Sequence, residues 1–175
     1  MELRTTVVDD LEAIFAIRRL PVVLANQFRP SSDDTIENWE RWLSGLGLDD
    51  CTSFRCSTIL DGQRVVGHIT QRDHVIGGYK TCEIGFNLLP EYWGRGIMGD
   101  AVSKLVPTLF EGHSVQSVVT GYFRGNSRCE RLLTRLGFQP FGVSIFHRVR
   151  IAVEMRCLRW INYCYTDPDV WSAST

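Results

Sequence analysis

Three glycines are the residues best placed to do chemistry. In Gly94-Arg95-Gly96-Ile97-Met98-Gly99 they stand where an apolar helical pattern begins, and the first amides of a helix have no partners inside it. Glycine lets an anion approach such amides closely, so the stretch suits a phosphate held by main-chain donors. It also fits the G-x-G-x-x-G spacing of a dinucleotide-binding turn. That turn needs a strand buried on both faces, glycines directly at its end, and an acidic residue about 20 positions on. Here the preceding strand alternates, with Ile84, Phe86 and Leu88 on one face and Glu83, Gly85 and Asn87 on the other, unlike the continuous apolar run of a buried parallel strand. Pro90-Glu91-Tyr92-Trp93 separates strand from glycines, and Val118 to Tyr122 contains no carboxylate. The dinucleotide spacing is therefore coincidental. A phosphate cradle and a purely structural tight turn both remain.

The whole chain sets bounds on the partners. With 175 residues, 44% hydrophobic and 22% charged, it is long enough for one domain that buries roughly 70% of its unfolded surface. A net charge of -1 argues against nucleic acid or a membrane surface. Arginine dominates the cations, Lys80 and Lys104 being the only lysines; this reflects either genome composition or a preference for phosphate. The six cysteines form no C-x-x-C pair and the four histidines complete no zinc spacing, so free thiols and no metal are expected. Acidic Glu2, Asp9 and Asp10 at the N-terminus, and no run near the ~20 apolar residues of a span, predict a cytoplasmic location.

The elements that position the glycines follow from periodicity. A strand over residues 2 to 8 leads to a helix capped by Asp9 or Asp10 with Leu11, Ile14, Phe15 and Arg18 on one stripe, stopped by Pro21. Asp34 with Glu37 reads as the capping box of a second helix carrying Ile36, Trp39, Leu43 and Leu46. SFRCSTIL and QRVVGHITQR flank Asp61-Gly62, a tight-hairpin signal, and TCEIGFNLL supplies a third antiparallel strand. The helix after the glycines has a broad apolar face and should kink or stop early at Pro107. SVQSVVTGYF is a fifth strand. Asn126 opens a short helix with Leu132, Leu133 and Leu136 inward, Gly137 left-handed beyond its end and Phe138 packing back. Strands near 138–144 and 149–158 complete the sheet.

EIGFNLLPEYWGRGIMGDAV, together with Asn126-Ser-Arg-Cys129 running on to Leu136-Gly137-Phe138, resembles the GNAT acyltransferase superfamily, in its branch of ribosomal-protein and related N-acetyltransferases. That resemblance covers residues 2 to 158. It implies one α/β domain over residues 1–158, with a mixed, mostly antiparallel sheet of six to seven strands splayed at the cofactor site and about four helices. Residues 159–175 would form an aromatic tail packed on the domain or on a partner subunit. The sequence departs from the family pattern in three places: Trp93 replaces the usual Gln or Arg, Met98 a small residue, and Cys129 a serine.

The resemblance also implies roles. Acetyl-coenzyme A would be the acyl donor, its pantetheine pairing with backbone at Phe86, Asn87 and Leu88 and its pyrophosphate meeting Gly94, Arg95, Gly96, Ile97, Met98 and Gly99. Arg95, Arg124 or Arg128 would reach phosphates, and Asn126 would add an amide contact to its capping role. An amide near Asn87 or Leu88 would polarise the thioester carbonyl. An alkylamine with pKa near 10 is only about 0.1% neutral at pH 7, and Glu83, on one face with Gly85, is the candidate base. Its bland alternative is a strand-face ion pair with arginine. Cys129, in the first turn of its helix, is a weak acid, a nucleophile favoured as thiolate by the helix dipole, or a small structural residue.

The acceptor would be a primary amine, acetylated directly in a ternary complex. A protein N-terminus comes first, a polyamine or aminoglycoside-like small amine second. The segment LPVVLANQFRPSSDD and the loop SIFHR would grip it. A non-catalytic acyl-coenzyme A binder is the alternative of another class, and a nicotinamide enzyme a remote third. The family and the aromatic tail permit a homodimer.

Overall fold

A computed structural model describes residues 1–27, 34–47, 53–76, 78–112, 115–146 and 150–158. The aromatic tail, most of the second half of LPVVLANQFRPSSDD and the end of SIFHR lie outside them. Strands β1 (Glu2–Thr5), β2 (Ser53–Asp61), β3 (Arg64–Ile76), β4 (Tyr79–Leu88), β5 (Ser117–Phe123), β6 (Gln139–Phe146) and β7 (Arg150–Leu158) form one seven-stranded sheet in the order β1-β2-β3-β4-β5-β7-β6. All neighbours are antiparallel except β4 and β5. Helices α1 (Leu11–Arg18), α2 (Pro21–Leu24) and α3 (Ile36–Leu43) come before the hairpin; α4 (Ile97–Gly112) and α5 (Ser127–Arg135) follow β4 and β5.

Strand alternation gives the sheet two apolar faces and hence two cores. Ile59, Ile69, Ile84 and Leu88 pack with Val102, Leu105 and Leu109 of α4 and Leu133 of α5. On the opposite face Phe54 and Cys56 meet Leu11, Ile14 and Phe15 of α1 and Trp39 of α3.

Several sequence expectations need correction. β1 ends at Thr5, not residue 8, because Val8–Asp10 forms a 3-10 turn. Pro21 does not merely end α1; it occupies the first turn of α2, where its missing N–H costs nothing. The cap of α3 is Thr35, whose hydroxyl accepts from the Asn38 amide at 3.2 Å, and the helix ends before Leu46. Asp34 instead accepts from the Trp39 indole at 2.9 Å and pairs with Arg18. A buried indole N–H and guanidinium outcompete a backbone cap for that carboxylate. Nor does Pro107 stop α4, which continues to Gly112. Pro107 and Ser103, whose carbonyl its ring deprives of a donor, are both exposed, which puts that carbonyl on the solvent side of the helix, where the lost bond costs least.

Asp10 ties β1 to β2. Its carboxylate takes two hydrogen bonds from Arg4 at 2.7 and 2.8 Å, one from the Val7 amide at 3.0 Å and one from the Thr58 hydroxyl at 2.9 Å. Burial raises its pKa, but these donors outweigh burial and hold it below the ordinary value. A carboxylate depressed on folding stabilises the fold above its unfolded pKa of about 3.9, and that contribution disappears as pH falls through the folded value. Asp10→Asn is therefore expected to cost about 1–3 kcal/mol at pH 7. Urea unfolding should show the gap from wild type narrowing by pH 3; an equal gap at both pH values would contradict this.

Candidate active site

β4 and β5 pair only at Thr81↔Ser117, Cys82↔Val118 and Glu83↔Val119. Beyond Glu83 the strands separate. Backbone direction alternates along β4: the Lys80 carbonyl accepts from Gln116 next to β5, while the Leu89 amide donates to Val66 of β3. The backbone groups of Ile84, Phe86 and Leu88 thus face the opening, and those of Asn87 turn to β3. Asn87 offers no main-chain donor to a ligand there; Leu88 does. Trp93 takes part of this edge, its indole donating to the Leu88 carbonyl at 2.7 Å. Leu88 is left with its N–H toward the opening.

A cavity of 580 Å³ fills the splay and extends to both sides of it. Such a volume holds a drug-sized ligand. One end is walled by Gly94, Gly96, Ile97, Met98 and Gly99. Gly94 and Gly96 have φ of 77° and 80° with nothing within 4 Å of an added Cβ, so glycine is needed there for the turn itself. Gly99 differs: a Cβ would meet Leu132 of α5 at 3.4 Å, a helix-packing contact. The amide of Asp100 reaches the Gly96 carbonyl, which leaves the amides of Ile97, Met98 and Gly99 as the unpaired start of α4.

Arg128, Arg131 and Arg135 line the same end. Their i, i+3, i+7 spacing sets them on one stripe of α5, and no salt bridge among the described residues involves them. Only Arg128 was singled out from the sequence. The helical spacing was the signal that could have found the other two. Arg95 instead turns over the Tyr92 ring at 5.4 Å, and Arg124 is not among the lining residues. Asn126 lines the cavity and also caps α5, its side chain accepting from the Cys129 amide at 3.2 Å.

Cys129 also lines the cavity. Burial pushes its thiol up to about 12. Burial thus acts against the thiolate that the helix dipole would favour.

At the other end Glu83 and Gly85 line the cavity with Arg18, Trp39, Thr70 and Arg72. The Glu83 side chain is 46% exposed, with Oε2 at 3.4 Å from His74 Nε2. That contact with His74, opposed by burial and aided by the charge of Arg72, lowers its pKa. Around Gly85, an added Cβ would meet only the Thr70 hydroxyl, at 2.9 Å. Among the described residues no three His, Cys, Asp or Glu side chains gather as a metal site. No helix there is long and apolar enough to cross a membrane.

A sheet opened beside unpaired helix amides, with a carboxylate at the far end, defines an acyltransferase-type fold. The sequence profile of the acetyltransferase (GNAT) domain matches residues 1–139, and the chain belongs to that family. An uncharacterized N-acetyltransferase of Bacillus subtilis, YoaA, is 32% identical over 65 residues, 37% of each chain. The ribosomal protein uS5-alanine N-acetyltransferase of Escherichia coli is 24% identical over 82 residues, covering 47% of this chain and 42% of that protein. The matched stretches span less than half of either relative.

Among solved structures, the ribosomal-protein-S5-alanine acetyltransferase of Vibrio fischeri superposes with a TM-score of 0.72 at 18% identity, covering 89% of this chain and 91% of that one. A variant of the spermidine N-acetyltransferase of Vibrio cholerae gives 0.71 at 16% identity, covering 90% and 95%. These likenesses establish the fold.

Proposed function

We propose that the protein is an acetyl-coenzyme A-dependent N-acetyltransferase that acts in the cytoplasm and moves the acetyl group directly to a primary amine held beside Glu83. One observation carries the reading. A single cavity joins an end made of α4 amides and three arginines that form no salt bridge among the described residues to an ionised carboxylate on the far side of the sheet opening. A coenzyme bearing phosphates fits the first end in charge and donor type; bound there, it supplies the thioester.

The Leu88 N–H, turned into the opening, is placed to polarise a carbonyl, and such a fixed donor acts most strongly where charge develops. Glu83, ionised at neutral pH, accepts the proton that the ammonium must lose, directly or through water. Amine nitrogen bonds to the acyl carbon as the carbon–sulfur bond breaks, and the second proton that the nitrogen sheds in becoming an amide passes to the departing thiolate, directly or through water. Burial pushes the Cys129 thiol up to about 12, which makes it a poorer proton donor to a departing thiolate than an ordinary thiol near 8.5. We assign it a hydrogen-bonding part and not a covalent one. Cys129→Ser is accordingly expected to keep kcat within about threefold, one neutral hydrogen bond being the most at stake; complete loss would instead indicate covalent transfer.

The relatives' names offer two acceptors, a ribosomal-protein alanine and spermidine. Thiol release from acetyl-coenzyme A in the presence of an amine panel tests the function. Release with at least one amine is expected. Calorimetric binding without release from any amine would leave a non-catalytic binder in its place.

A further inference from the structure

The acceptor end of the cavity carries one cation and one anion on neighbouring strands. Arg72 of β3 and Glu83 of β4 are directly opposed in the register, so their Cβ atoms stand about 5 Å apart on one face. Yet the two do not form an ion pair. Glu83 turns to His74, and the Arg72 guanidinium lies over Trp42 and Phe54 at 5.6 and 5.5 Å. Among the described residues no carboxylate is in salt-bridge reach of Arg72.

The other cation at this end, Arg18, is already held by Asp34 and stacks 4.8 Å from Trp39. Its Nε and the Oε1 of Gln27, both on cavity-lining residues, are buried with no hydrogen-bond partner among the described residues. Buried polar atoms left unpaired are costly, and two of them on the wall of an open cavity point to polar groups of a ligand.

The charges restrict what that ligand is. Among the described residues Arg18 and Arg72 balance Asp34 and Glu83, so these groups leave no surplus of negative charge with which to hold a polycation. A spare guanidinium beside an ionised carboxylate is the complement of a zwitterion. We propose that the acceptor is a free amino acid, or a similarly small amine with a carboxylate on the adjoining carbon. The planar guanidinium of Arg72 takes that carboxylate with paired hydrogen bonds, and the amine lies beside Glu83 with its lone pair toward the Leu88 edge of the opening. A peptide N-terminus lacks the carboxylate and leaves Arg72 unanswered.

This assignment rests on the transferase reading, and its test separates the two. Thiol release is measured with neutral-side-chain amino acids, with their carboxamides, with an alanine-initiated peptide and with spermidine. Amino acids are expected to be preferred over their carboxamides by about 10- to 100-fold in kcat/KM, the effect of a charge-assisted hydrogen-bonded pair. Arg72→Met, which keeps an apolar stem over Trp42 and Phe54, should erase that preference mainly through KM. It should leave the KM for acetyl-coenzyme A unchanged. Arg72→Lys should restore part of the preference. Faster turnover of the carboxamides, the peptide or spermidine would overturn the proposal and leave the transferase reading standing, as would an Arg72→Met loss equal for acids and carboxamides. Binding of acetyl-coenzyme A without release from any amine overturns both.

Discussion

Glu83→Gln is expected to lower kcat by about 100-fold at pH 7, the range over which a positioned base contributes. The deficit should shrink as pH rises. Glu83 has its pKa lowered by the contact with His74 first, against burial, with Arg72 assisting. A depressed carboxylate remains ionised above its folded pKa, so between pH 6 and 9 its own titration draws no limb in the wild-type profile. What changes with pH is the need for it. Near the amine's pKa of about 10 the acceptor is already neutral without help, and below that each lost pH unit makes proton removal by the enzyme matter more.

The variant's profile should therefore rise more steeply with pH than the wild type's, with the KM for acetyl-coenzyme A unaltered because the proposed coenzyme site is formed by other residues of the cavity, at the start of α4. Equal kcat for both proteins across pH 6 to 9 would remove Glu83 from the mechanism and leave it as the ion-paired strand residue that its His74 contact also permits.

The largest effect on stability is expected at Trp39, 1% exposed and the centre of the core on the α1 and α3 face. Its ring meets Phe15 at 5.1 Å, Phe54 at 5.2 Å and His68 at 5.8 Å, all edge-to-face. His68 is itself held neutral, by burial first and the charge of Arg18 second. Trp39→Ala removes these contacts and the indole N–H that Asp34 accepts. It is expected to cost about 3–5 kcal/mol, or about 10 °C in Tm for a chain of this size.

Trp39→Phe isolates the polar share. It keeps an aromatic ring but no donor for Asp34, and should cost about 1 kcal/mol. Because the two cores sit on opposite faces of the sheet, acetyl-coenzyme A should bind folded Trp39→Ala normally while the acceptor's KM rises with the displaced Arg18. A Tm within about 2 °C of wild type would show that the face repacks around the missing ring.

Local pattern was enough for most of the elements and for the family. The alternation at Ile84, Phe86 and Leu88, the glycines before Ile97, the Asn126 cap and the left-handed Gly137 each depend on a few adjacent residues, and all are found: the last as φ of 82° with the Phe138 amide returning to the Leu133 carbonyl. Boundaries set by competition were less legible. Whether Asp34 or Thr35 caps α3 turns on Arg18 and Trp39, which reach Asp34 only once α1 and α3 pack together.

The same holds for the site. Sequence alone determined that backbone donors stand at the start of α4 and that Glu83 shares a face with Gly85. Tertiary structure decided which main-chain groups face the opening, because strand alternation assigns direction only after the partners on each side are known. It decided how deeply Cys129 is buried, and hence that its thiol pKa is raised, because burial depends on every surrounding element. It also brought Arg72 opposite Glu83 and set Arg131 and Arg135 on the cavity wall. Long-range register and solvent exclusion are properties of the assembled sheet, and no window of neighbouring residues encodes them.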